Sequence, residues 1–346
     1  MPPLALLAGS SFCAASRTPS RLLAKGGVLR LGARARFQTG KRSAEVRGTA
    51  TMADSPLWTD IQKSYEHAQN IGAAYSIDTN PEHLLDAETG VEFVVRVATA
   101  LKDKPKPPPK EGASKKEWRN PFLPYEPDLF VRNLPPHHVL LLNKFNVVDH
   151  HLLVVTKEFE LQTDPINDKD FACVWEVLNA FPGAGGLAFY NCGDASGHSQ
   201  PHKHMQLVPL PLDSSQAAPP PFENLILKAA TDAGCHTEAE AGKIFTVPSL
   251  PFMHAVCMLK PSSTAQELQE WYKLLLADAL SASESWNLVM TTKWMMIVPR
   301  SRERVDAVSL NALGFAGTLL VRSAEELEQV RQMGVMKILA AAGCPR

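Results

Sequence analysis

One stretch decides the fold: Asn191-Cys-Gly-Asp-Ala-Ser-Gly-His-Ser-Gln-Pro-His-Lys-His-Met-Gln-Leu-Val208 joins a glycine-bearing loop to a strand pattern. Alternate side chains of a strand point to opposite faces, and neighbours on one face lie about 6.6 Å apart. The pattern from residue 202 onward therefore predicts a strand with His202, His204 and Gln206 on one polar face. Met205 and Leu207, on the other face, can pack into a core.

The loop before this strand has the composition of an anion-binding turn. Gly193, Ser196, Gly197 and Ser199 can turn their backbone N–H groups toward a common point, which forms a nest for phosphate oxygens. A nucleophilic or general-base histidine beside a phosphate cradle indicates nucleotidyl transfer. Two other interpretations remain open at this point: a metal-ligand pair, for which no third ligand is evident from spacing, and hydrogen-bonded core histidines.

Strands in runs, flanked by helices, indicate an α+β fold with a mostly antiparallel sheet. Periodicity predicts helices and strands at spacings of 3.6 and 2 residues, and no internal repeat is evident in the sequence. The predicted helices are 56–71, 171–180, one capped by Ser263 with Gln266 at capping-box spacing, 325–333 and 335–342. The predicted strands are 91–97, 138–143, 151–156, 187–191, 202–208, 286–290 and 294–298.

The chain has 346 residues, of which 45% are hydrophobic and 21% charged, as in a globular protein with a sizeable core. No run approaches the ~18–20 apolar residues of a membrane span, so we expect no integral membrane protein. Residues 1–50 carry seven Arg and two Lys against one acid, Glu45, which leaves 26 basic and 35 acidic side chains beyond them. That acidic body argues against a nucleic-acid binder.

The first fifty residues are rich in Arg and Ser and lack the continuous apolar run of a secretory signal. They predict a disordered organellar transit peptide, for a mitochondrion or a chloroplast, while Met52 could start a second, cytosolic form. The six scattered cysteines form no CxxC pair, so we expect free thiols and no structural zinc. Of the body, we expect an N-terminal half at 51–208, a proline-rich linker at 209–222 and a C-terminal half at 223–346.

Five segments together resemble one family. The HxHxQ element after an NxGxxxGxSQ loop is similar to the histidine-triad superfamily, and specifically to the ATP adenylyltransferases, or diadenosine tetraphosphate phosphorylases. The other matching segments are Asn120-Pro-Phe-Leu-Pro-Tyr-Glu-Pro-Asp-Leu-Phe130, Leu142-Asn-Lys-Phe-Asn-Val-Val-Asp-His-His-Leu-Leu-Val-Val155, Val298-Pro-Arg-Ser-Arg302 and Asn311-Ala-Leu-Gly-Phe-Ala-Gly317. The resemblance runs from about Leu57 to the C-terminus and implies a histidine-triad-like α+β fold built from two halves.

The resemblance also implies a reaction. His204 would attack an α-phosphate of diadenosine tetraphosphate, release ATP and form an adenylyl-histidine, from which inorganic phosphate takes the AMP as ADP, reversibly. Gln206 and His202 would complete the catalytic group, with no cofactor for the nucleophile, no bound metal, and Mg²⁺ at most as a nucleotide counterion. The nucleotide- and phosphate-contacting residues carried over from the family are Asn143, Lys144, Asn191, Gly197, His198, Ser199, Gln200, Lys104, Asn311 and Gly314.

Two positions depart from the family pattern: His198 stands where a small residue is usual, and Pro201 where a polar one is usual. These departures concern substrate preference more than reaction type. The alternatives are a hexose-1-phosphate uridylyltransferase-like enzyme, whose HPHxQ element has proline where this chain has Lys203, and a non-catalytic nucleotide sensor. The expected partners are nucleotides and inorganic phosphate, with neither nucleic acid nor membrane, and the sequence leaves the oligomeric state open.

Overall fold

The computed structural model describes residues 56–98, 119–213 and 219–346, apart from the side chain of residue 280. The predicted transit peptide and Lys104 lie outside these residues. The described helices are α1 (Pro56–Asn70), α2 (Asp168–Ala180), α3 (Glu223–Asp232), α4 (Ala265–Leu280), α5 (Ala324–Met333) and α6 (Val335–Ala342). The described strands are β1 (Tyr75–Ser76), β2 (Asn80–Leu85), β3 (Glu92–Val97), β4 (Phe130–Leu134), β5 (His138–Leu142), β6 (Phe145–Asn146), β7 (Leu152–Thr156), β8 (Gly186–Cys192), β9 (His204–Pro209), β10 (Ile244–Phe245), β11 (Ala255–Met258), β12 (Trp286–Met290), β13 (Trp294–Pro299), β14 (Arg304–Val305), β15 (Val308–Ser309) and β16 (Thr318–Val321).

A nine-stranded sheet organises the fold, in the order β10-β11-β13-β12-β8-β9-β7-β5-β4. Every neighbouring pair in it is antiparallel. A second sheet of three strands, in the order β16-β3-β2, includes one parallel pair, β16 with β3. The predicted α+β class with a mostly antiparallel sheet is therefore confirmed. No helix in the described parts of the chain is long and apolar enough to cross a membrane.

Each face of the large sheet has its own hydrophobic core. Helices α1, α2 and α4 cover one face, where Trp58, Phe171 and Leu268 are buried with Met205 and Leu207 of β9. Helices α3, α5 and α6 and the three-stranded sheet cover much of the other face. Full burial of an aliphatic or aromatic side chain stabilises the fold by about 1.5–3 kcal/mol. The sheet is thus fixed from both sides, and β9 cannot slip by one residue without exposing its apolar face.

The large sheet contains a topological repeat that the sequence does not show. Strands β5, β7, β8 and β9, with α2 after β7, follow the same path as β10, β11, β12 and β13, with α4 after β11. The two sets lie on either side of the antiparallel pair β8–β12, so each is the reverse of the other in the sheet. The repeat carries different side chains: the face of β9 that presents His204 and Gln206 corresponds to buried apolar side chains of β13, which are Trp294, Met296 and Val298.

Two predicted boundaries differ from the structure. Thr264, not Ser263, is the N-cap of α4, and its capping box closes with Glu267 instead of Gln266. The hydroxyl of Ser263 instead accepts from the backbone N–H of Lys260, in the preceding turn. Strand β9 begins at His204, because the chain around His202 leaves the ladder and makes an isolated bridge with Leu161.

Candidate active site

His204 stands at the first residue of β9, on the face opposite α2. Its side chain is 4% exposed, and its Nδ1 lies 2.8 Å from the carbonyl oxygen of His202. A carbonyl oxygen only accepts, so Nδ1 carries the proton and Nε2 carries the lone pair. Burial lowers the pKa of His204 to about 4, against the opposing effect of the His202 carbonyl. The imidazole is therefore neutral near pH 7, and its Nε2 is a base and nucleophile without prior loss of a proton.

The backbone around His204 is held by Gln162. The Oε1 atom of this side chain accepts from the His204 N–H at 2.9 Å, and its Nε2 donates to the Asn191 carbonyl oxygen at 3.0 Å. Gln162 is itself 2% exposed. Its amide thus joins the start of β9 to the end of β8 and fixes the position from which the imidazole projects.

His254 shows what distinguishes His204. This second buried histidine also donates from Nδ1 to the carbonyl oxygen two residues earlier, that of Phe252, at 2.8 Å, and burial lowers its pKa to about 4 as well. Its Nε2, however, accepts from the backbone N–H of Val247 at 2.7 Å. The Nε2 of His204 accepts from no residue that the structure describes, which leaves its lone pair available to a substrate.

His202 has both ring nitrogens engaged. Its Nε2 lies 3.0 Å from the Thr156 carbonyl oxygen and 3.1 Å from that of Glu158, so this nitrogen is protonated. Its Nδ1 then accepts from the amide of Asn120 at 3.0 Å. The ring is fully buried, and burial lowers the pKa of His202. These contacts suit a residue that anchors the chain before His204, whose ring depends on the His202 carbonyl oxygen.

Gln206 is oriented by two residues of the motif at 142–155. The amide of Asn143 lies 3.0 Å from Nδ1 of His151, and Nε2 of His151 lies 3.1 Å from Oε1 of Gln206. Asn143 donates from an NH₂ group, so His151 accepts at Nδ1 and donates at Nε2 to the Gln206 oxygen. This order leaves the NH₂ group of Gln206 as a donor on the same face as His204, with no partner among the described residues.

An apolar floor lies beside these polar groups. It is a small cluster separate from the two main cores, formed by Phe122, Val139, Leu141, Leu153 and Val155. The ring of Phe122 lies 5.3 Å from that of His204, centroid to centroid. Apolar and aromatic surface next to a few convergent polar groups is typical of a small-molecule site.

The loop before β9 requires glycine at two positions. Gly193 and Gly197 have φ values of 81° and 83°, and a Cβ on Gly197 would lie 2.3 Å from the carbonyl oxygen of Leu310. The backbone N–H groups of Gly197, His198 and Ser199 donate to no described residue. Three consecutive N–H groups without a described acceptor, beside a glycine with positive φ, are the arrangement on which the predicted anion nest depends. Nδ1 of His198 donates to the Gly193 carbonyl oxygen at 3.0 Å, which fixes its ring.

The second half of the chain supports this loop from below. The Asn191 side-chain oxygen accepts from Asn287 at 2.8 Å and from the backbone N–H of Ala312 at 2.8 Å. Asn311 caps the 3₁₀ helix Ala312–Ala316 by accepting from a backbone N–H. Gly314 lies buried in that helix, where a Cβ would meet two leucine side chains at 3.3 Å. Asn191, Asn311 and Gly314, all predicted to contact nucleotide, thus contact other residues of the protein in this structure.

Two predicted residues lie at the edge of the site. Lys144 forms a half-exposed ion pair with Glu126, at 2.7 Å. Gln200 is half-buried and lies in sequence between Ser199 and His202. No three His, Cys, Asp or Glu side chains among the described residues are grouped so that they could hold a metal ion, and the five described cysteines are free thiols.

A buried ion cluster lies on the opposite face of β9. Lys203, between the two histidines, contacts Asp170 at 2.7 Å and Glu160 at 3.2 Å. Asp170 is fully buried and also accepts from Nε2 of His138 at 2.7 Å. Burial alone would raise the pKa of Asp170, but the His138 hydrogen bond and the Lys203 charge keep it below its ordinary value. The cluster ties the residue just before β9 to α2 and β5.

Comparison with known proteins agrees with this geometry. The family described as the Ap4A phosphorylase N-terminal domain matches residues 47–228, and the ATP adenylyltransferase C-terminal domain matches residues 248–345. The chain belongs to the Ap4A phosphorylase family. It is therefore an enzyme of the nucleotidyltransferase class, as the sequence predicted.

Individual members of the Ap4A phosphorylase family share between a quarter and a third of their residues with this chain. Diadenosine 5',5'''-P1,P4-tetraphosphate phosphorylase 2 of Saccharomyces cerevisiae is 28% identical over 309 residues, which cover 81% of this chain and 92% of the relative. The crystal structure of yeast Ap4A phosphorylase Apa2 in complex with Ap4A is 27% identical and has a TM-score of 0.69, with 85% and 99% of the two chains covered. The complex of the same yeast enzyme with AMP has a TM-score of 0.68 at 27% identity, with 85% and 98% covered.

Sequence reasoning missed several residues of the site in this phosphorylase-family chain. Asn120, Phe122 and His151 lie within motifs that carry the resemblance, so the signal was present but gave no role to single residues. Gln162 and Asn287 lie outside those motifs. Gln162 contacts Asn191, 29 positions away, and Asn287 contacts Asn191, 96 positions away, so no local pattern marks either residue.

Proposed function

We propose that the protein catalyses the reversible phosphorolysis of diadenosine tetraphosphate, with inorganic phosphate as acceptor and ADP and ATP as products, through an adenylyl group on His204. The observation that carries this proposal is the buried, neutral His204 with its Nε2 lone pair free on a face that also presents a donor amide and an anion nest. The names of the family and of the yeast relatives support the substrate.

The reaction takes two displacements. Nε2 of His204 forms a bond to an α-phosphorus, and the bond from that phosphorus to the bridging oxygen breaks, so ATP leaves with the electron pair. An oxygen of inorganic phosphate then attacks the same phosphorus, the N–P bond breaks, and ADP leaves with the imidazole restored. Covalent catalysis of this kind divides one difficult transfer into two easier ones.

The neighbouring groups have separate tasks in this scheme. Nδ1–H of His204 keeps its bond to the His202 carbonyl oxygen, which stabilises the positive charge that the ring gains on adenylylation. The Gln206 amide can hold a phosphoryl oxygen, and unlike an imidazole it cannot take a proton from water. The free N–H groups of Gly197, His198 and Ser199 would bind phosphate oxygens. Phe122 and the apolar floor would receive a nucleoside.

The test is to isolate the intermediate. Full-length protein incubated with diadenosine tetraphosphate and no phosphate should give an acid-labile AMP adduct on His204, and added phosphate should convert it to ADP. His204→Ala should form no adduct and no ADP. His254→Asn, the matched control at a histidine whose Nε2 is occupied, should still form the adduct. An adduct on His202, or turnover by His204→Ala, would contradict the assignment.

We also propose that residues 1–50 direct the protein to an organelle, on the basis of their composition alone. A fluorescent protein fused to residues 1–55 should enter a mitochondrion or a chloroplast, while the chain that starts at Met52 should remain in the cytosol. A diffuse signal from the fusion would exclude a transit peptide.

A further inference from the structure

Only two Lys or Arg side chains are buried among the described residues, Lys203 and Arg300. Lys203 contacts two carboxylates. Arg300 is fully buried and has no carboxylate within ion-pair distance in the described part of the chain. The carboxylate that acts on its charge is that of Glu303, which is exposed. Burial of an unpaired charge is costly. The burial of Arg300 without a carboxylate beside it therefore needs an explanation.

Neutral acceptors satisfy the guanidinium group. Nε donates to the Ala342 carbonyl oxygen at 3.2 Å, and Nη2 donates to that of Arg302 at 2.8 Å. Nη1 donates to the side-chain oxygen of Asn287 and to the Ser196 carbonyl oxygen, at 3.2 Å to the latter. Burial lowers the pKa of Arg300 to about 10, so the group still carries its charge near pH 7.

The contact with Ser196 connects this charge to the anion nest. The Ser196–Gly197 peptide is trans, since the cis bonds of the described residues lie elsewhere. In a trans peptide the C=O and the N–H point in opposite directions. The Ser196 carbonyl oxygen accepts from Arg300 and, at 3.0 Å, from Asn287. The N–H of Gly197 therefore points away from the guanidinium, and it is the first of the three free N–H groups.

Hydrogen bonds in a chain polarise one another, and a charged donor at one end strengthens the donor at the other. We propose that Arg300 is a positioning residue for phosphate groups: its charge acts through the Ser196–Gly197 peptide, and the polyphosphate of the substrate supplies the counter-charge that the described residues do not. This inference rests on the proposed function, because it takes an adenine nucleotide as the ligand. It gives the second half of the chain a part in substrate binding that acts through the loop of the first half.

The charge predicts that the effect of Arg300 grows with the number of phosphates on the ligand. The ligands are adenosine, AMP and α,β-methylene-ATP, whose bridging carbon prevents transfer to His204, and affinities are measured by calorimetry on the full chain. Arg300→Gln should weaken binding of α,β-methylene-ATP about tenfold, that of AMP less, and that of adenosine by less than about twofold. Arg302→Gln removes an exposed charge two residues away and should change each affinity by less than about twofold.

Arg300→Lys separates the charge from the bracing contacts. Lysine keeps the charge but cannot reach these four acceptors in the fork geometry of arginine. The ratio of the α,β-methylene-ATP affinity to the adenosine affinity should stay within about threefold of the wild-type ratio. If Arg300→Lys loses that ratio, or Arg300→Gln weakens all three ligands equally, Arg300 acts by structure alone and the inference is overturned.

The lysine variant decides the matter even if Arg300→Gln does not fold. Wild-type protein that binds neither AMP nor α,β-methylene-ATP would refute the proposed function itself. Wild-type protein that binds both, together with an Arg300→Lys variant that loses the affinity ratio, would refute only the role of the Arg300 charge.

Discussion

Acid should destabilise this protein through its buried histidines, and His204 gives the clearest measure. The unfolded chain protonates histidine at a pKa of about 6.5, whereas burial lowers the pKa of His204 in the folded state to about 4. Between these values the unfolded state binds more protons, so the free energy of unfolding falls as the pH falls. From about pH 7.5 to about pH 5 this linkage costs about 2 kcal/mol for His204. His254, with a pKa of about 4, should add a similar loss.

Urea unfolding of wild type and His204→Asn at the two pH values measures the effect. Asparagine can still donate to the His202 carbonyl oxygen but does not titrate. The fall in the free energy of unfolding between the two pH values should therefore be about 2 kcal/mol smaller in the variant. His254→Asn should give a similar reduction, and His236→Asn, at an exposed position, should give none.

The same lowered pKa has a kinetic consequence. Because His204 stays neutral down to about pH 4, the rate of adenylylation should show no acid limb near pH 6.5. If His204→Asn loses as much stability on acidification as wild type, the ring is not desolvated as described, and the basis for a neutral nucleophile fails.

Three further predictions concern residues around His204. Lys203→Met should destabilise the fold by about 3–5 kcal/mol in urea unfolding, because it leaves Asp170 charged and buried. Adding Asp170→Asn to this variant should restore stability. A loss below about 1 kcal/mol in Lys203→Met would show that the Lys203–Asp170 pair is not desolvated. Gly197→Ala should abolish most phosphorolysis, since its Cβ would collide with a backbone carbonyl oxygen, whereas Gly185→Ala, at the same φ of 83° with open space around it, should leave activity unchanged. Gln206→His should raise the ratio of AMP to ADP among the products, measured by chromatography at fixed phosphate, because an imidazole can activate water; an unchanged ratio would assign the choice of acceptor to another residue.

Local patterns carried much of the fold and the centre of the site. Alternation along β9 placed His204 and Gln206 on one face because the strand repeat of two residues is a local property. The glycines of the loop predicted an anion nest because the backbone turn that a glycine allows is also a local property. Helix α3 was missed because its ten residues follow a proline-rich segment and repeat the helical pattern over fewer than three turns.

Hydrogen-bond partners that are distant in sequence determine the environment of His202 and Arg300, and no local pattern predicts them. The strand pattern grouped His202 with His204. Both ring nitrogens of His202 are hydrogen-bonded, however, to the amide of Asn120, 82 residues earlier, and to two backbone carbonyl oxygens. Arg300 stood in a recognised motif, yet its part depends on the Ser196 carbonyl oxygen, 104 residues away. Such contacts follow from the pairing of β8 with β12, which no local spacing encodes.

The repeat within the large sheet has a consequence for how the enzyme behaves on dilution. Strand β12 covers the edge of β8 that would otherwise be open to another chain, as the facing copy does in a symmetric dimer built across a sheet edge. One polypeptide thereby holds both partners of the interface at a fixed effective concentration. The strand with the histidine and the residues that brace its loop cannot separate by dissociation. We therefore expect a specific activity that stays constant as the protein is diluted, because a single chain supplies both the strand with His204 and the strands that support its loop.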